Sequence, residues 1–251
     1  MSRSRRKSVK LGKLTNADAL TAVPNIARDP FQLAAVNDLA GLKKVVEPQE
    51  EEGELGADVN AVDAYDATAM TWASRQGNEA VIEYLIEKGA GIDASGYGGI
   101  TPLQHAANYI QQGTLDLLIK NGADVHVKDD AGNTALHWAC EKGVLRPLNS
   151  LIENGADVNA LNKSKASGMH AAARNGNLSC VTKLQEKGCN VDYQDVHGST
   201  ALHYASQCGF PAICKFLLSK GAKAKLKNKD GKTAKDLART PELIAAFEAC
   251  E

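Results

Sequence analysis

Histidine and cysteine are the side chains best placed to do chemistry near neutral pH. In this 251-residue chain His137, His170 and His203 recur every 33 residues. A metal or general-base site would need these imidazoles to converge. Equivalent residues of stacked helical units stand about 10 Å apart, the spacing of packed helices, too far to share an ion. The spacing instead assigns each histidine to its own unit, bonded to local backbone or to the neighbouring turn. His105 and His197 fall at other phases and read as surface residues. Cys140, Cys180, Cys189, Cys208, Cys214 and Cys250 show no C-x-x-C spacing. They mostly occupy phases where small apolar residues are expected, which reads as free core thiols in a reducing compartment. The chain has no G-x-x-x-x-G-K-S/T, no G-x-G-x-x-G after a strand and no H-E-x-x-H. No catalytic constellation emerges, so the chain reads as a non-enzyme without cofactor or metal.

The elements that hold these residues are copies of one another. GNTALHWACEKG (132–143) returns as GSTALHYASQCG (198–209), 66 residues later. Halfway between them, in phase, lies ASGMHAAARNG (166–176). Stepping back by 33 gives GITPLQHAANYI (99–110), then ATAMTWASRQG (67–77), so that five units fill 63–227 without insertion. A fixed period of this length marks a repeat array. Each unit is predicted to be a turn, a helix, a tight turn and a second helix. Thr68, Thr101, Thr134, Ser167 and Thr200 open the first helices as N-caps. Gly89, Gly122, Gly155, Gly188 and Gly221 close the second helices with a left-handed cap. Trp72, Trp138 and Tyr204 share one phase, which argues for packing between units.

The totals suit a folded protein with small-residue helix packing: net charge −1, 43% hydrophobic, 24% charged and only 5% aromatic. No apolar run approaches the roughly 18–20 residues that span a bilayer. The basic start MSRSRRKSVKLGKL lacks an apolar h-region and reads as neither a secretory signal nor a mitochondrial presequence.

The strings TPLQHAA, TALHWA, TALHYA and GADVNA, set in a 33-residue period, resemble ankyrin repeats. The resemblance implies an all-α solenoid of helix-turn-helix units, each with a hairpin-like turn. On this reading 63–227 holds five full repeats, and 28–62 and 228–251 are degenerate capping repeats. Capping repeats turn a polar face to water, as the ends of a stack must. The first cap carries an acidic insert with Glu50, Glu51, Glu52 and Glu54. Residues 1–27 form a basic arm, expected to be disordered, with Arg3, Arg5, Arg6 and Lys7. RRKS makes Ser8 a candidate phosphorylation site that would cut the arm's charge. Lysines from Lys220 to Lys235 crowd the last repeat and cap.

Sites shared by all units build the scaffold, so recognition must lie in outward positions that vary. The family resemblance implies a concave surface lined by turn tips and by the exposed side of each first helix. Carried onto this chain, the tips include Tyr65, Tyr97, Ile100, Asp130, Asn133, Lys163 and His197. The helix positions include Arg75, Asn108, Tyr109, Glu141, Lys142 and Arg174. Two units break the pattern. The second has Ile110 where the others have Gly77, Gly143, Gly176 and Gly209, so its first helix is expected to run on toward Gln112 and push Tyr109 and Ile110 outward. The fourth opens with Ser167-Gly168, and glycine in a first turn predicts a soft point.

These features predict a non-catalytic adaptor or regulator, monomeric alone, that binds a protein partner and no small-molecule substrate. TALHWAC, YDATAM and NKDGKTA also resemble gankyrin-like members, whose role implies an assembly chaperone or inhibitor of a larger complex. Nucleic acid or anionic lipid could meet the basic ends, but the near-neutral total and the lack of an aromatic-basic platform argue against it. The expected location is the cytoplasm, with the nucleus added if the basic arm is an import signal.

Overall fold

The computed structural model describes residues 29–47 and 56–248. The basic arm with Ser8, the acidic insert and Cys250 lie outside these residues. The described residues form helices α1 (Pro30–Ala35), α2 (Leu39–Val46), α3 (Ala69–Gln76), α4 (Glu79–Glu87), α5 (Pro102–Asn108), α6 (Gln112–Lys120), α7 (Ala135–Lys142), α8 (Leu145–Glu153), α9 (Gly168–Arg174), α10 (Leu178–Glu186), α11 (Ala201–Cys208), α12 (Pro211–Ser219) and α13 (Pro241–Glu248). No strand occurs among them. Short 3₁₀ turns cover Tyr97–Gly99 and Lys235–Leu237.

The helices make two layers. Odd-numbered helices α1 to α11 pack side by side as an inner row, and even-numbered helices α4 to α12 form an outer row behind them. The period fixes what each row buries. Ala73, Ala106, Ala139, Ala172 and Ala205 are fully buried in the inner row, and small side chains let neighbouring helices approach closely. Leu85, Leu118, Leu151, Leu184 and Leu217 are fully buried in the outer row. The end of the stack is closed by the 235–237 turn against α11 and by α13 against α12, with Leu243 and Phe247 buried.

Cys140, Cys180, Cys189 and Cys214 sit in this core as free thiols, as their phases predict. Burial pushes Cys180 up to about 11 and both Cys189 and Cys214 up to about 12, so none of these thiols supplies thiolate at neutral pH. Cys208 is exposed.

One expectation fails here. Helix α5 does not run on to Gln112. It stops at Asn108, and Ile110 itself takes the left-handed turn, with φ +63°. The reason is that the bond from Gln111 N–H to the Ala106 carbonyl, 2.9 Å, keeps the same tight turn as in the other units. Gly168, read as a soft point, also has a packing reason. A Cβ there would lie 2.7 Å from Leu136 Cδ2 and 2.8 Å from Cys140 Sγ. The glycine lets α9 press against α7.

The predicted local role of the repeated histidines holds and goes further. His137 Nδ1 accepts the backbone N–H of Thr134 at 3.1 Å, which leaves the proton on Nε2. That Nε2 donates to the Ala166 carbonyl in the next turn at 3.2 Å. His170 bridges Ser167 N–H to the carbonyls of Tyr193 and Ser199. His203 bridges Thr200 N–H to the Lys232 carbonyl. Gln104 does the same in the second unit: its Oε1 accepts Thr101 N–H and its Nε2 donates to the carbonyls of Val127 and Asn133. Each side chain caps its own helix and also clamps the following unit. Thr71, at this phase in the first unit, bonds only to Thr68.

These histidines must be neutral to make both bonds. Burial lowers the pKa of His137, His170 and His203, against partial compensation from carbonyl acceptors. Unfolding returns each to the ordinary value of about 6.5. Below that pH the unfolded chain binds more protons, so stability is full above it and falls as the pH drops. The expected result is an unfolding midpoint that declines between pH 7 and pH 5. His137→Gln, which copies Gln104, should keep stability within about 1 kcal/mol at pH 7 and flatten the decline. His137→Ala, which orphans Thr134 N–H and the Ala166 carbonyl, should lose about 1–3 kcal/mol. Urea titrations at several pH values measure both.

Candidate functional site

The turns between units project as fingers, and all but that of the second unit are built on an Asx residue. Asp63 Oδ1 accepts the N–H groups of Tyr65 and Ala67 at 2.7 and 3.0 Å. Asp129, Asn162, Asp195 and Asn228 repeat this bonding to the second and fourth residues after them. Neighbouring fingertips are joined by backbone bonds: Tyr97 N–H to Tyr65 O, Asp130 to Gly98, Lys163 to Ala131, Val196 to Ser164 and Lys229 to His197, at 2.8–3.1 Å. Fingers and inner helices enclose a groove along the array. Asn133, Ser164 and His197 line one side of it, and His137, Glu141, His170 and Arg174 the other.

The shared-phase aromatics stand in this groove. Tyr204 packs edge-on against His170 of the preceding unit, ring centroids 6.1 Å apart, as the shared phase predicts, and all three aromatics also make a bond within their own unit. Each reaches back nine residues to the Asx carboxylate of its own finger. Trp72 Nε1–H donates to Asp63 Oδ2 at 2.8 Å, Trp138 to Asp129 at 3.1 Å, and the Tyr204 hydroxyl to Asp195 at 2.6 Å. The pairs lock finger to helix inside one unit. Burial works against the Asp195 charge, but the Tyr204 hydroxyl and the N–H groups of Ser199 and His197 outweigh it and hold the carboxyl below its ordinary range. Burial, then the Asp195 bond, push Tyr204 up to about 12. This pairing could have been found in the sequence, because Asp63, Asp129 and Asp195 share a phase nine residues before the aromatics.

The second unit lacks this lock. Gly96 takes the Asx place and His105 the aromatic one. His105 is therefore not the surface residue expected. It is largely buried, and its Nδ1 has no partner. Burial and the nearby Arg75 push its pKa down to about 4. The ring stacks on Tyr109, centroids 6.1 Å apart. The Arg75 guanidinium covers Tyr109 at 4.7 Å and Trp72 at 5.5 Å. Asn108 Oδ1 is also buried without a partner.

The predicted site residues fall into groups. Tyr65 and Tyr97 are neighbouring fingertips, 63% and 78% exposed. Arg75 near the end of α3 and Tyr109 just after the end of α5 touch, and Ile110 follows Tyr109. Ile100 and Asn108 are half-buried. Glu141 and Arg174 line the groove farther along, beside Trp138 and Tyr204. Lys142 is exposed at the end of α7 and lines neither feature. No group of three or more His, Cys, Asp or Glu side chains among the described residues could hold a metal ion.

A family model described as "Ankyrin repeats (3 copies)" matches residues 31–129, 98–162 and 136–228. A comparison with curated proteins gives no match. Among solved structures, the chain is similar to the human ASB11 ankyrin repeat domain, with 25% identity over 88% of this chain and 97% of that one, at TM-score 0.77. It is also similar to the ankyrin repeat domain of Bcl-3, with 27% identity over 87% of this chain and 97% of the other, at TM-score 0.73.

Ile110 marks this face as strained. A β-branched residue at positive φ is a steric outlier, and its turn equivalents Gly77, Gly143, Gly176 and Gly209 hold φ between 76° and 84°. The left-handed conformation costs roughly 1–2 kcal/mol for a side chain with a Cβ. Ile110 is 48% exposed, so little burial offsets that cost. Ile110→Gly should therefore raise stability by up to about 1 kcal/mol, after the entropy a glycine loses on folding. A denaturant titration reads the gain. A loss of stability would show that the isoleucine is held for packing.

Proposed function

Because this chain belongs to the ankyrin-repeat family, a family of protein–protein interaction modules, we propose that it is a non-catalytic adaptor or regulator whose partner protein docks on the concave face of the first three full repeats. The docking centre is Tyr97, Tyr109 and Ile110, with Tyr65, Arg75, Ile100, Asn108 and Glu141 around it. The observation that carries this reading is the concentration of departures in the second unit. That unit gives up the Asx residue, the aromatic lock and the turn glycine together, and it presents Tyr109 and Ile110 at 41% and 48% exposure. Tyrosines offer large contact area at low entropy cost, and hot spots are enriched in tyrosine and arginine. Arg75 already lies over Tyr109, so the pair is preordered.

A second reading rests on the other end of the array. Lys225, Lys227, Lys229 and Lys232 are exposed around the last finger and suit an acidic partner surface. A gankyrin-like assembly or inhibitory role fits either location and depends on what the partner is. The proposed setting is the cytoplasm and, through the basic arm, the nucleus.

The test is quantitative capture of partners from cells with wild type and two double variants. Tyr109→Ala with Ile110→Asp should weaken the main partner by tenfold or more, equivalent to about 2 kcal/mol or more at a hot spot, while stability moves by less than about 1 kcal/mol. Lys225→Glu with Lys227→Glu should leave capture intact. The reverse pattern would place the site at the lysine-rich end and make it electrostatic.

A further inference from the structure

The aromatic lock has a vacancy. Along the groove the phase reads Trp72, His105, Trp138, Ala171, Tyr204, and in the fourth unit the ring is gone. What remains is a notch of about 240 Å³ floored by Ala171, with Trp138 and Tyr204 standing on either side. The partner of the missing ring has changed with it. Asn162 replaces the aspartate. Its Oδ1 accepts the turn N–H groups of Ser164 and Ala166, which puts the amide nitrogen where Asp129 and Asp195 present the oxygen that takes the ring's N–H or O–H. That nitrogen donates to Asn133 Oδ1 at 2.9 Å and has a second hydrogen to give. Arg174 stands three residues after Ala171, as Arg75 stands three after Trp72. In the first unit this spacing lays the guanidinium over the indole at 5.5 Å. Arg174 is exposed at the notch, with no ring of its own unit to cover.

We propose that this notch is a binding subsite for a tyrosine side chain of the partner protein, which occupies the vacant place of the chain's own ring. The guest ring lies over Ala171 under the Arg174 guanidinium, and its phenolic oxygen accepts from Asn162 Nδ2. Two features select among side chains, because Glu141 and Asp195 line the notch beside Arg174 and leave its charge mixed. The ring site, flanked by aromatics at the chain's own spacing, favours a planar guest over an aliphatic one. The amide donor favours an oxygen acceptor, which tyrosine has, phenylalanine lacks and tryptophan, a donor only, cannot supply. The subsite rests on the reading of the concave face as partner-binding, and adds a contact beyond the Tyr97–Tyr109–Ile110 centre.

The test needs no partner. The chain has two tryptophans, Trp72 and Trp138, so their indole N–H resonances are separate reporters. Titration of the full chain with N-acetyl-tyrosinamide should shift the Trp138 indole resonance saturably and leave Trp72 unmoved. N-acetyl-leucinamide should produce no saturable shift, and N-acetyl-tryptophanamide should bind several-fold more weakly. Arg174→Ala should weaken tyrosinamide about two- to fivefold, the scale of an exposed cation–π contact. Ala171→Tyr fills the notch from within and should abolish the shift. Asn162→Asp restores the acceptor of the other units and should bring tryptophanamide up to tyrosinamide. This inversion of preference is an outcome that a merely structural asparagine would not give. No saturable shift at Trp138, an equal shift with leucinamide, or no change of preference in Asn162→Asp would each overturn the subsite. None of these results bears on whether a partner docks at Tyr109, so the two readings fail separately.

Discussion

The array depends on a side chain that serves two units at once. Gln104, His137, His170 and His203 each satisfy the first N–H of their own inner helix and grip a carbonyl in the following finger. A helix N-terminus leaves donors without partners, and a buried turn leaves acceptors. One planar group with an acceptor on one edge and a donor on the other satisfies both. Inner helices therefore stand in fixed register, and the alanines at the next phases meet at close range. The finger Asx turns and the fingertip bonds then follow from the register and do not set it.

This division of labour explains where variation is tolerated. Positions that link units must keep their hydrogen-bond geometry, and they do so with either imidazole or carboxamide. Positions that face the groove only have to leave the finger anchored. The second unit anchors its finger through backbone glycines, with Gly98 and Gly99 at positive φ, in place of an Asx side chain. It can then present His105, Tyr109 and Ile110 in unusual ways without loss of register. The fourth unit keeps the Asx turn but drops the ring. The two irregular units lie on either side of a regular third one, in which Asp129 and Trp138 make the full lock.

The repeat period, the helix order, the threonine caps and the local role of the histidines were legible because a fixed phase repeats them in the sequence. So was the outward placement of Tyr65, Tyr97 and Tyr109. The cause of the Ile110 exposure was not legible, since a backbone that strains rather than extends leaves no compositional trace. His105 reads as a surface residue because it is out of phase with the other histidines, yet it is in phase with Trp72 and Trp138, which stand over the inner row. The Asp–aromatic lock was written plainly at a nine-residue interval, but tryptophan suggested packing before hydrogen bonding. Gly168 reads locally as a helix breaker. Its reason is a neighbour 28 residues earlier, Cys140, and only the fold supplies it.

The interchangeable clamp also bears on how such a gene can change length. Gln104, His137, His170 and His203 each reach a carbonyl 29 residues ahead. Unequal crossing-over that excised or duplicated one 33-residue segment among these units would rejoin a matching donor to a matching acceptor. The product would inherit complete junctions on both sides of the scar. The same event across the first boundary would not, since Thr71 reaches no farther than Thr68. Growth and shrinkage by recombination are thus chemically seamless in the body of the array and obstructed at its amino-terminal edge.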